Sequence, residues 1–478
     1  MTPDSGLNGA VSASGTAADG GRSGGGGGLF VGGAGLGGAT AHPMGGASSG
    51  AGTSAAGSGG NGVAGAATAD CTFTLRSEVS PVIGTVGIVE WSSGLLGIDS
   101  AAIEFGLDRN YGMTAPVDLT EPNYRTLLLG MKPSRTYHFR VVARNAQSTC
   151  MSDDFTLTTG PLPSGLPTIA VSTFHPERLA GGFLITGQYV TSIDTRPPAY
   201  ILDADGELVW WYMAETTVTG ACMSHDGKSM WINAANPPDL PTTVHRVSMD
   251  GLIDEDLSHE FVGQNHQLTV LPDETVAFYA YGANDCDDVK LRYPDGSVRT
   301  LMNASEVPNG GDCHLNTIQY SPLDDTLVFS DLYRWSYTKI TRDGEIVWIL
   351  GGAASHFTGD GASWDNQHGV DVLGLDRLLI FNNGSPGGES LAIEIFLDLG
   401  ARTATRVWSY AAEPPIYNAV MGDIQRAANG NTIVSYSTQG VLHEVGPDGT
   451  LLRELNWGPR GTFGYVHHRA SLYGPPDR

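Results

Sequence analysis

Hydrophobic and polar residues repeat in one pattern from residue 168 to the end of the chain. Each copy has an apolar segment, a turn built on Asp-Gly or an equivalent pair, and a second apolar segment with aromatic residues near its end. The six copies are AYILDADGELVWWY, HRVSMDGLIDEDL, VKLRYPDGSVRTL, TKITRDGEIVWIL, EIFLDLGARTATRVWSY and LHEVGPDGTLLRELNW. Because two apolar segments around such a turn are the signature of a β-hairpin, the pattern predicts six hairpins.

The spacing of these hairpins predicts their arrangement. Their turn glycines are Gly206, Gly251, Gly296, Gly344, Gly400 and Gly449, at intervals of 45, 45, 48, 56 and 49 residues. Periods of about 40 to 50 residues with only β content are typical of propeller blades. The sequence therefore predicts an all-β protein with a six-bladed β-propeller over residues 168–478, closed by pairing of its N- and C-terminal ends. A solenoid is the alternative, although no capping segment is visible.

A second element alternates with the hairpins and reads as an inner strand, a turn and the next strand. Its five copies are GACMSHDGKSMWI, NHQLTVLPDETVAFYA, DCHLNTIQYSPLDDTLVFSD, NQHGVDVLGLDRLLIFNN and GDIQRAANGNTIVSYS. In three successive copies the residue that opens the inner strand is a histidine: His266, His314 and His368. Because the inner strands of a propeller line its axis, we expect the three imidazoles to meet at the mouth of the central channel.

Three imidazoles in one place support two kinds of chemistry. As neutral ligands they would leave an open coordination position on a zinc ion. As catalytic groups, one would take a transferred group while the others and an arginine hold its anionic oxygens. The repeat fixes no carboxylate beside them, which suits an anionic donor. A single histidine among the 13 in the chain is more often structural, so the functional argument depends on the cluster.

Residues 71 to about 160 show a different β pattern. Short alternating segments such as TVGIVEW (85–91) and RTYHFRVVA (135–143) are separated by turn-rich text, which predicts a β-sandwich over 71–160. The stretch GMKPSRTYHFRVVARN resembles the late strands of fibronectin type III domains, with Tyr137 in the place of their corner tyrosine. The proline-containing GPLPSGLP (160–167) predicts a linker to the propeller.

The first seventy residues have too few large apolar side chains to form a core. They are mainly Gly, Ala, Ser and Thr, so ordering them would cost more free energy than burial returns. We therefore predict a disordered tether over 1–70. Such tethers often follow the lipid-anchored cysteine of bacterial surface proteins. The sequence begins at MTPDSG without a signal peptide, so we expect a missing leader and keep a cytosolic protein as the alternative.

Charge and composition exclude several classes of partner. The chain has 26 Lys and Arg against 51 Asp and Glu, a formal net charge of −25 that would repel nucleic-acid phosphates and anionic membranes. It contains no run of about 18 apolar residues that would form a transmembrane segment. It also lacks the G-x-x-x-x-G-K-[ST] motif, and the glycine-rich start has no strand and helix around it. A nucleotide site is therefore unsupported.

The five cysteines predict two disulfides and one free thiol. Cys71 and Cys150 lie near the two ends of the sandwich, where one bridge would tie its first strand to a late strand. Cys286 and Cys313 lie one blade apart, and Cys313 directly precedes His314, so a second bridge would brace the site. Cys222 would remain free. This pattern suits an oxidising compartment, and unpaired buried thiols are the alternative for the first pair.

One long stretch of the propeller region resembles a known enzyme family, the bacterial arylsulfotransferases. It is KITRDGEIVWILGGAASHFTGDGASWDNQHGVDVLGLDRLLIFNNG (339–384), together with NHQLTVLPD, CHLNTIQY and GDIQRAANGNTIV. Its most specific parts are W-I-L-G-G followed by Q-H and F-x-N-G, and the H-x-N of His314 and Asn316. The resemblance implies a six-bladed propeller, often preceded by a β-sandwich, that moves a sulfuryl group between phenols through a sulfated histidine.

The resemblance also implies roles for individual residues. It makes His368 the nucleophile, and His266 and His314 the further histidines that bind the sulfuryl oxygens and move protons. The arginine of the family is displaced here, because Leu332 stands at its place and Arg334 follows two residues later. Since positions i and i+2 of a strand share a face, we expect Arg334 to point inward.

Candidate substrate-binding residues lie close to these motifs. They are Asn316 of the H-x-N motif and the aromatic residues Tyr333, Trp335 and Trp364, beside which a phenol could stack. Packing between blades is the structural alternative for the aromatic residues.

The predicted function is that of an arylsulfate sulfotransferase that does not use the nucleotide donor PAPS. Its partners would be a small-molecule aryl sulfate donor and a phenolic acceptor, with no cofactor and no metal. The alternative is a non-catalytic or metal-binding propeller that acts as an extracytoplasmic ligand-binding module. We expect a periplasmic, surface-anchored or secreted protein, and the sequence leaves a homodimer open.

Overall fold

Antiparallel β-strands make up nearly all the regular structure. The computed structural model describes residues 71–189, 196–234, 242–308, 312–457 and 461–476, so the predicted tether over 1–70 lies outside the described residues. Helical structure within these ranges is limited to single 3-10 turns, and no helix in them is long and apolar enough to cross a membrane. The 3-10 turns are Pro122–Tyr124, Pro176–Arg178, Ser258–Glu260, Ala304–Glu306, Asp360–Ala362 and Ser437–Gln439. The all-β prediction is confirmed.

The first eight strands form two sheets that enclose one core. They are β1 (Phe73–Val79), β2 (Gly87–Ser93), β3 (Ser100–Gly106), β4 (Met113–Pro116), β5 (Thr126–Leu128), β6 (Thr136–Arg144), β7 (Thr149–Met151) and β8 (Phe155–Thr158). One sheet has the order β1-β2-β5, and the other the order β4-β3-β6-β7 with β8 also pairing with β6. Trp91, Phe105 and Phe139 meet in the core. The Tyr137 hydroxyl accepts a hydrogen bond from the Lys132 N–H at 2.8 Å, which ties β6 to the loop before it.

The remaining strands form six antiparallel sheets, which we call sheets A to F. Their strands are β9 (Ala170–Phe174), β10 (Phe183–Gly187), β11 (Pro198–Leu202), β12 (Leu208–Met213), β13 (Gly220–Met223), β14 (Ser229–Ala234), β15 (Thr243–Ser248), β16 (Asp254–Asp256), β17 (Gln264–Val270), β18 (Val276–Tyr281), β19 (Asp287–Arg292), β20 (Val298–Asn303), β21 (Leu315–Ser321), β22 (Thr326–Asp331), β23 (Ser336–Thr341), β24 (Ile346–Leu350), β25 (Gln367–Gly374), β26 (Arg377–Asn382), β27 (Leu391–Asp398), β28 (Thr403–Ala411), β29 (Asp423–Arg426), β30 (Thr432–Tyr436), β31 (Val441–Val445), β32 (Leu451–Asn456) and β33 (His467–Arg469).

Each sheet is built from strands that follow one another in the chain, except where the two ends of this region meet. Sheets B, C, D and E contain β13–β16, β17–β20, β21–β24 and β25–β28 in order. Sheet A has the order β12-β11-β10-β33, and sheet F has the order β29-β30-β31-β32-β9. The C-terminal strand thus completes the first sheet, and the N-terminal strand completes the last.

All six predicted hairpins are present, as the pairs β11/β12, β15/β16, β19/β20, β23/β24, β27/β28 and β31/β32. Five of the six turn glycines have positive φ, as a tight Asp-Gly turn requires. Gly400 is the exception among them. In that hairpin Arg402 takes the left-handed conformation instead, with φ 57°.

Side chains on the first strands of the sheets tie neighbouring sheets together. The Oε1 atoms of three glutamines accept backbone N–H groups of the next sheet: Gln267 from Ile318 at 3.0 Å, Gln319 from Val372 at 2.7 Å, and Gln425 from His468 at 2.6 Å. A carboxylate oxygen of Asp371 accepts the Arg426 N–H in the same way at 2.7 Å. These bonds join C to D, D to E, E to F and F to A.

These strands surround a common cavity of about 170 Å³. The end strand of each sheet contributes at least one lining residue, such as His467, Met223, Thr269, Gln319, Val370 and Ile424. Each of the six sheets therefore contributes its end strand to the lining of this cavity.

Both predicted disulfides are present. Cys71 pairs with Cys150, and Cys286 pairs with Cys313. Cys222 is the free cysteine of the described residues, and burial raises the pKa of its thiol to about 12. The second disulfide joins the start of β19 in sheet C to the residue before His314 in sheet D.

Candidate active site

The structure brings the three predicted histidines together from sheets C, D and E. The rings of His266 and His314 pack edge to face, with centroids 4.7 Å apart and an interplanar angle of 89°. His368 is close enough that its charge lowers the pKa of His266, and His314 lowers the pKa of His368 in turn. The three imidazoles form one cluster at the start of β17, β21 and β25.

A β-bulge lies at the start of each of these strands, and it contains His266 in β17 and His368 in β25. Pairing with the neighbouring strand skips residues 266–267 in β17, 316–317 in β21 and 368–369 in β25. Bulges of this kind turn a side chain out of the regular alternation of a strand. In register, the equivalent of His266 and His368 is therefore Asn316, whereas His314 lies two residues earlier. The predicted equivalence of the three histidines holds for two of them.

His266 adopts a left-handed backbone conformation, with φ 51°. For a residue other than glycine this costs about 1–2 kcal/mol, so the surroundings must hold it. Its carbonyl accepts hydrogen bonds from the Thr219 hydroxyl at 3.1 Å, from the Gln264 side chain at 3.2 Å and from the Asn233 side chain. These three donors hold the His266 backbone in this conformation.

Two buried carboxylates lie beside the cluster, although the repeat pattern predicts none. Asp331, the last residue of β22, accepts the His314 N–H at 3.1 Å. Asp287, the first residue of β19, accepts the Leu315 N–H at 2.9 Å and an N–H of the Asn265 side chain at 2.9 Å. Burial raises the pKa of both carboxyl groups. They come from other strands than the histidines, so no spacing along the chain reveals them.

Burial keeps the three imidazoles neutral near neutral pH. It lowers the pKa of His266 well below its usual value, with His314 and His368 adding to the effect. It lowers the pKa of His314 against the opposing charges of Asp287 and Asp331. It lowers the pKa of His368 to about 4, against the hydrogen bond to Asn383. At pH 7 the cluster can donate through ring N–H groups and attack through ring lone pairs, but it carries no positive charge of its own.

His368 is the most enclosed of the three and is only 4% exposed. Its Nδ1 lies 2.8 Å from the Oδ1 atom of Asn383, and its Nε2 accepts the backbone N–H of Met421 at 3.1 Å. A group that is to react at Nε2 must displace this N–H. The sequence predicts neither contact. Asn383 lies 15 residues away from His368, and Met421 lies 53 residues away in the segment before β29.

Arg334 is near the cluster but is engaged by other groups. Its Nε lies 3.4 Å from an Asp331 carboxylate oxygen, its Nη1 donates to the Ala304 carbonyl, and its Nη2 lies 3.9 Å from the Cys286 sulfur. It belongs to the turn of residues 332–335 between β22 and β23 rather than to a strand. The rule that i and i+2 share a face therefore does not apply, and Arg334 braces Asp331 and the disulfide.

The candidate substrate-binding residues separate into two pairs. Asn316 and Trp364 are buried: the Asn316 amide donates to the Gln367 carbonyl at 2.9 Å, and the Trp364 indole N–H donates to the Gln367 side chain at 3.0 Å. Both hold the strand that carries His368. Tyr333 and Trp335 are 62% and 51% exposed, and the Tyr333 ring lies 5.2 Å from the His314 ring.

An open pocket of about 820 Å³ is lined by Tyr333, the residue whose ring lies near His314, and by none of the three histidines. Its walls include Tyr333, Trp335, Arg334, Asn366 and the glycine pair 351–352. The backbone carbonyls of Arg334 and Trp335 press against these glycines, where a Cβ would come within 2.2 and 2.5 Å of them. The W-I-L-G-G motif thus forms the floor under the two exposed aromatic residues.

The arrangement of the ring nitrogens bears on the metal alternative. Within the described ranges, no three His, Cys, Asp or Glu side chains are spaced to hold a metal ion. A metal at Nε2 of His368 would have to replace the Met421 N–H, and Nδ1 of His266 faces the Asn265 side-chain oxygen at 3.0 Å.

A family model described as Arylsulfotransferase (ASST) matches residues 285–457. The match confirms the resemblance to this family that the sequence motifs indicate. It includes His314, Arg334 and His368, while His266 lies outside it. No curated protein sequence matches the chain.

Several solved structures are similar at low identity. TolB from Acinetobacter baumannii is 12% identical over 71% of this chain and 80% of its own, with a TM-score of 0.43. A catalytically inactive variant of virginiamycin B lyase from Staphylococcus aureus with quinupristin is 14% identical over 61% of this chain and 89% of its own, with a TM-score of 0.37. A regucalcin from Agrobacterium tumefaciens is 13% identical over 66% of this chain and 96% of its own, with a TM-score of 0.35. At this level of similarity, these structures give no information about the activity of this chain.

Proposed function

We propose that this protein is an aryl-sulfate sulfotransferase, which moves a sulfuryl group from a phenolic sulfate to a phenolic acceptor through His368 and without PAPS. The observation that carries the proposal is the cluster of three histidines, in which the His368 Nε2 atom carries a lone pair and accepts the Met421 N–H. The match of the arylsulfotransferase family model to the segment that holds His314 and His368 supports it.

The proposed fold is a six-bladed β-propeller preceded by a fibronectin type III-like sandwich. Six sheets that face one cavity with their first strands, and that are linked by side chains from C through to A, support the propeller. The hydrogen bond from the Lys132 N–H to the Tyr137 hydroxyl is the arrangement of a tyrosine corner and supports the sandwich.

The proposed reaction runs in two halves. In the first, the Nε2 lone pair of His368 forms a bond to sulfur, the sulfur–oxygen bond to the aryl group breaks, and its electron pair leaves on the phenolate oxygen. In the second half, the acceptor oxygen attacks the same sulfur and releases Nε2. The ring N–H of His314 would donate to the sulfuryl oxygens. His266, whose proton is on Nδ1 beside Asn265, would take up the acceptor's proton on its Nε2 atom.

Arg334 has a different part in this proposal from the one that the resemblance implies. Its guanidinium faces Asp331, so it offsets a buried negative charge that would otherwise repel the sulfuryl group. Sulfuryl oxygens would be held mainly by neutral N–H donors. This makes the charge state of Asp331 important for the reaction.

The proposed acceptor site is the open pocket lined by Tyr333 and Trp335. Both rings are exposed, and Tyr333 borders His314. A phenol ring stacked here would direct its hydroxyl toward the cluster.

Two disulfides support an oxidising location outside the cytoplasm, such as the periplasm or the cell surface.

Turnover of a nitrophenyl sulfate tests the proposal. The wild-type protein should release more than one equivalent of nitrophenol per protein molecule only when an acceptor phenol is supplied, and chelator should change nothing. His368→Asn should abolish release, whereas His467→Asn should not, because His467 is a buried histidine of the cavity that is also neutral but lies outside the cluster. Full activity of His368→Asn would refute the proposal. Loss on chelation that zinc restores would favour the metal alternative.

A further inference from the structure

The two ring nitrogens of His368 are distinguished by their hydrogen-bond partners. Nε2 faces the backbone N–H of Met421 at 3.1 Å, and a backbone N–H can only donate. Nε2 therefore carries the lone pair. The proton of the neutral ring must be on Nδ1, which lies 2.8 Å from the Asn383 Oδ1 atom.

The orientation of the Asn383 amide is fixed independently of His368. Its Nδ2 donates to the carbonyls of Asn418 at 2.8 Å and Met421 at 2.7 Å. A flipped amide would lose both bonds and turn N–H groups toward the Nδ1 proton. The oxygen of Asn383 must therefore face the ring.

Asn383 belongs to a buried polar network that holds it in place. Its carbonyl accepts the Ser390 hydroxyl at 2.7 Å, and the Ser390 oxygen accepts the Asn418 N–H at 2.9 Å. The Asn418 side-chain oxygen accepts both the N–H and the hydroxyl of Thr438. Asn383, Asn418 and Ser390 are 0% exposed. A buried network in which the polar groups are paired is rigid, so it can determine the rotamer of His368.

We propose that Asn383 is a positioning residue for sulfuryl transfer, which holds the His368 ring with its proton on Nδ1 and its lone pair on Nε2. The inference rests on the proposed function. When Nε2 bonds to sulfur, the ring keeps the Nδ1 proton and becomes cationic beside the negative sulfuryl group. The hydrogen bond to the Asn383 oxygen then stabilises that positive charge. The hydrogen bond from the Met421 N–H to Nε2 is broken in this step.

A second histidine of the cluster also has an asparagine oxygen facing its Nδ1 atom. The Asn265 side-chain oxygen lies 3.0 Å from Nδ1 of His266, and its Nδ2 donates to Asp287 at 2.9 Å. Here the asparagine precedes the histidine on one strand, whereas Asn383 reaches His368 from the end of the neighbouring strand. Two different routes thus place an amide oxygen on Nδ1, which supports a functional reason for this tautomer.

The charged and titratable groups around His368 determine what a substitution would do. His266 and His314 face it from sheets C and D, Tyr337 donates its hydroxyl to the His368 carbonyl, and Asp423 borders the next residue, Gly369. The hydrogen-bond partner of the His368 Nδ1 atom is the Asn383 oxygen rather than any of these groups. Asn383→Asp would place a carboxylate directly on Nδ1.

The pH dependence of nitrophenol release tests this inference. In Asn383→Asp we expect the midpoint of the acid limb of the pH–rate profile for the first half-reaction to rise by about 1–3 pH units. The reason is that an adjacent carboxylate favours the protonated ring. Asn382→Asp is the matched control, since the Asn382 oxygen accepts the Asp365 and Gly384 N–H groups and does not touch His368. Asn382→Asp should move this midpoint much less. Equal midpoints in the two folded variants would overturn the inference.

Nitrogen NMR of the resting wild-type protein gives a readout that needs neither a variant nor turnover. We expect the His368 resonances of a neutral ring with the proton on Nδ1. A proton on Nε2 would overturn the positioning role even if the enzyme is active. If the tautomer is as expected but no nitrophenol is released and no group is transferred, the proposed function fails while the assignment of Asn383 stands.

Discussion

A methyl group at Gly369 should separate the strand that carries His368 from its neighbour. A Cβ built on Gly369 would lie 2.4 Å from an Asp423 carboxylate oxygen, 2.6 Å from the Asp423 Cα and 2.9 Å from the Ile424 nitrogen. Asp423 cannot turn away freely, because its two oxygens accept the N–H groups of Ile424 at 2.9 Å and Val466 at 2.8 Å. Strand β25 must therefore shift relative to β29.

The size of the effect follows from this overlap. Forcing a methyl group into a packed core costs about 1–3 kcal/mol of unfolding free energy. Because His368 is the adjacent residue, the shift also moves the ring, and displacements of this kind reduce turnover by roughly 10²-fold. We expect Gly369→Ala to lower stability in urea unfolding by that amount and to slow nitrophenol release by one to two orders of magnitude.

Gly374→Ala is the matched control on the same strand. Its added methyl group would meet its nearest neighbours at 3.4 Å or more, and its φ is not in the left-handed region. It should leave both stability and turnover close to those of the wild type. If Gly369→Ala is as stable and as active as Gly374→Ala, the packing of β25 against β29 does not position His368, and the reasoning is wrong.

Three further predictions concern charge, pH and the sandwich. Arg334→Ala should destabilise the protein by about 3–5 kcal/mol because it leaves Asp331 buried without its cation, and adding Asp331→Asn should restore most of the stability in urea unfolding. Burial lowers the folded-state pKa of His368 from 6.5 to about 4, so the unfolded chain takes up this proton first as the pH falls. Stability should therefore drop by about 3 kcal/mol between pH 6.5 and 4, and His368→Asn should show a correspondingly smaller drop. Tyr137→Phe should cost about 1–3 kcal/mol in thermal unfolding because the Lys132 N–H loses its acceptor, and an unchanged melting temperature would contradict this.

The parts of the fold that depend on local pattern could be predicted from the sequence. The six hairpins follow from apolar segments around Asp-Gly turns, and the turn glycines except Gly400 take the conformation that such turns need. Both cysteine pairs could be predicted because their spacing matched the predicted blade and sandwich boundaries. The meeting of His266, His314 and His368 could be predicted because the repeat places them near the starts of the first strands of three successive sheets.

Features of the site that depend on register or on distant segments could not be predicted. The β-bulges put Asn316 in register with His266 and His368, so Asn316 takes the position that the pattern assigned to His314. Asp287, Asp331 and Met421 reach the cluster from other strands or loops, and no spacing reveals them. Arg334 lies in a turn, where strand alternation does not apply. One signal was available, since the glutamines that link the sheets recur in HQLTV, NTIQY and DIQRA.

The most direct test of the central claim is to map the covalent adduct after brief exposure to an aryl sulfate without an acceptor. We predict a mass increase of one sulfuryl group on the peptide that contains His368, stable at alkaline pH, absent in His368→Asn and removed when an acceptor phenol is added. A sulfuryl group on His266 or His314, or nitrophenol release with no adduct on any histidine, would contradict the account.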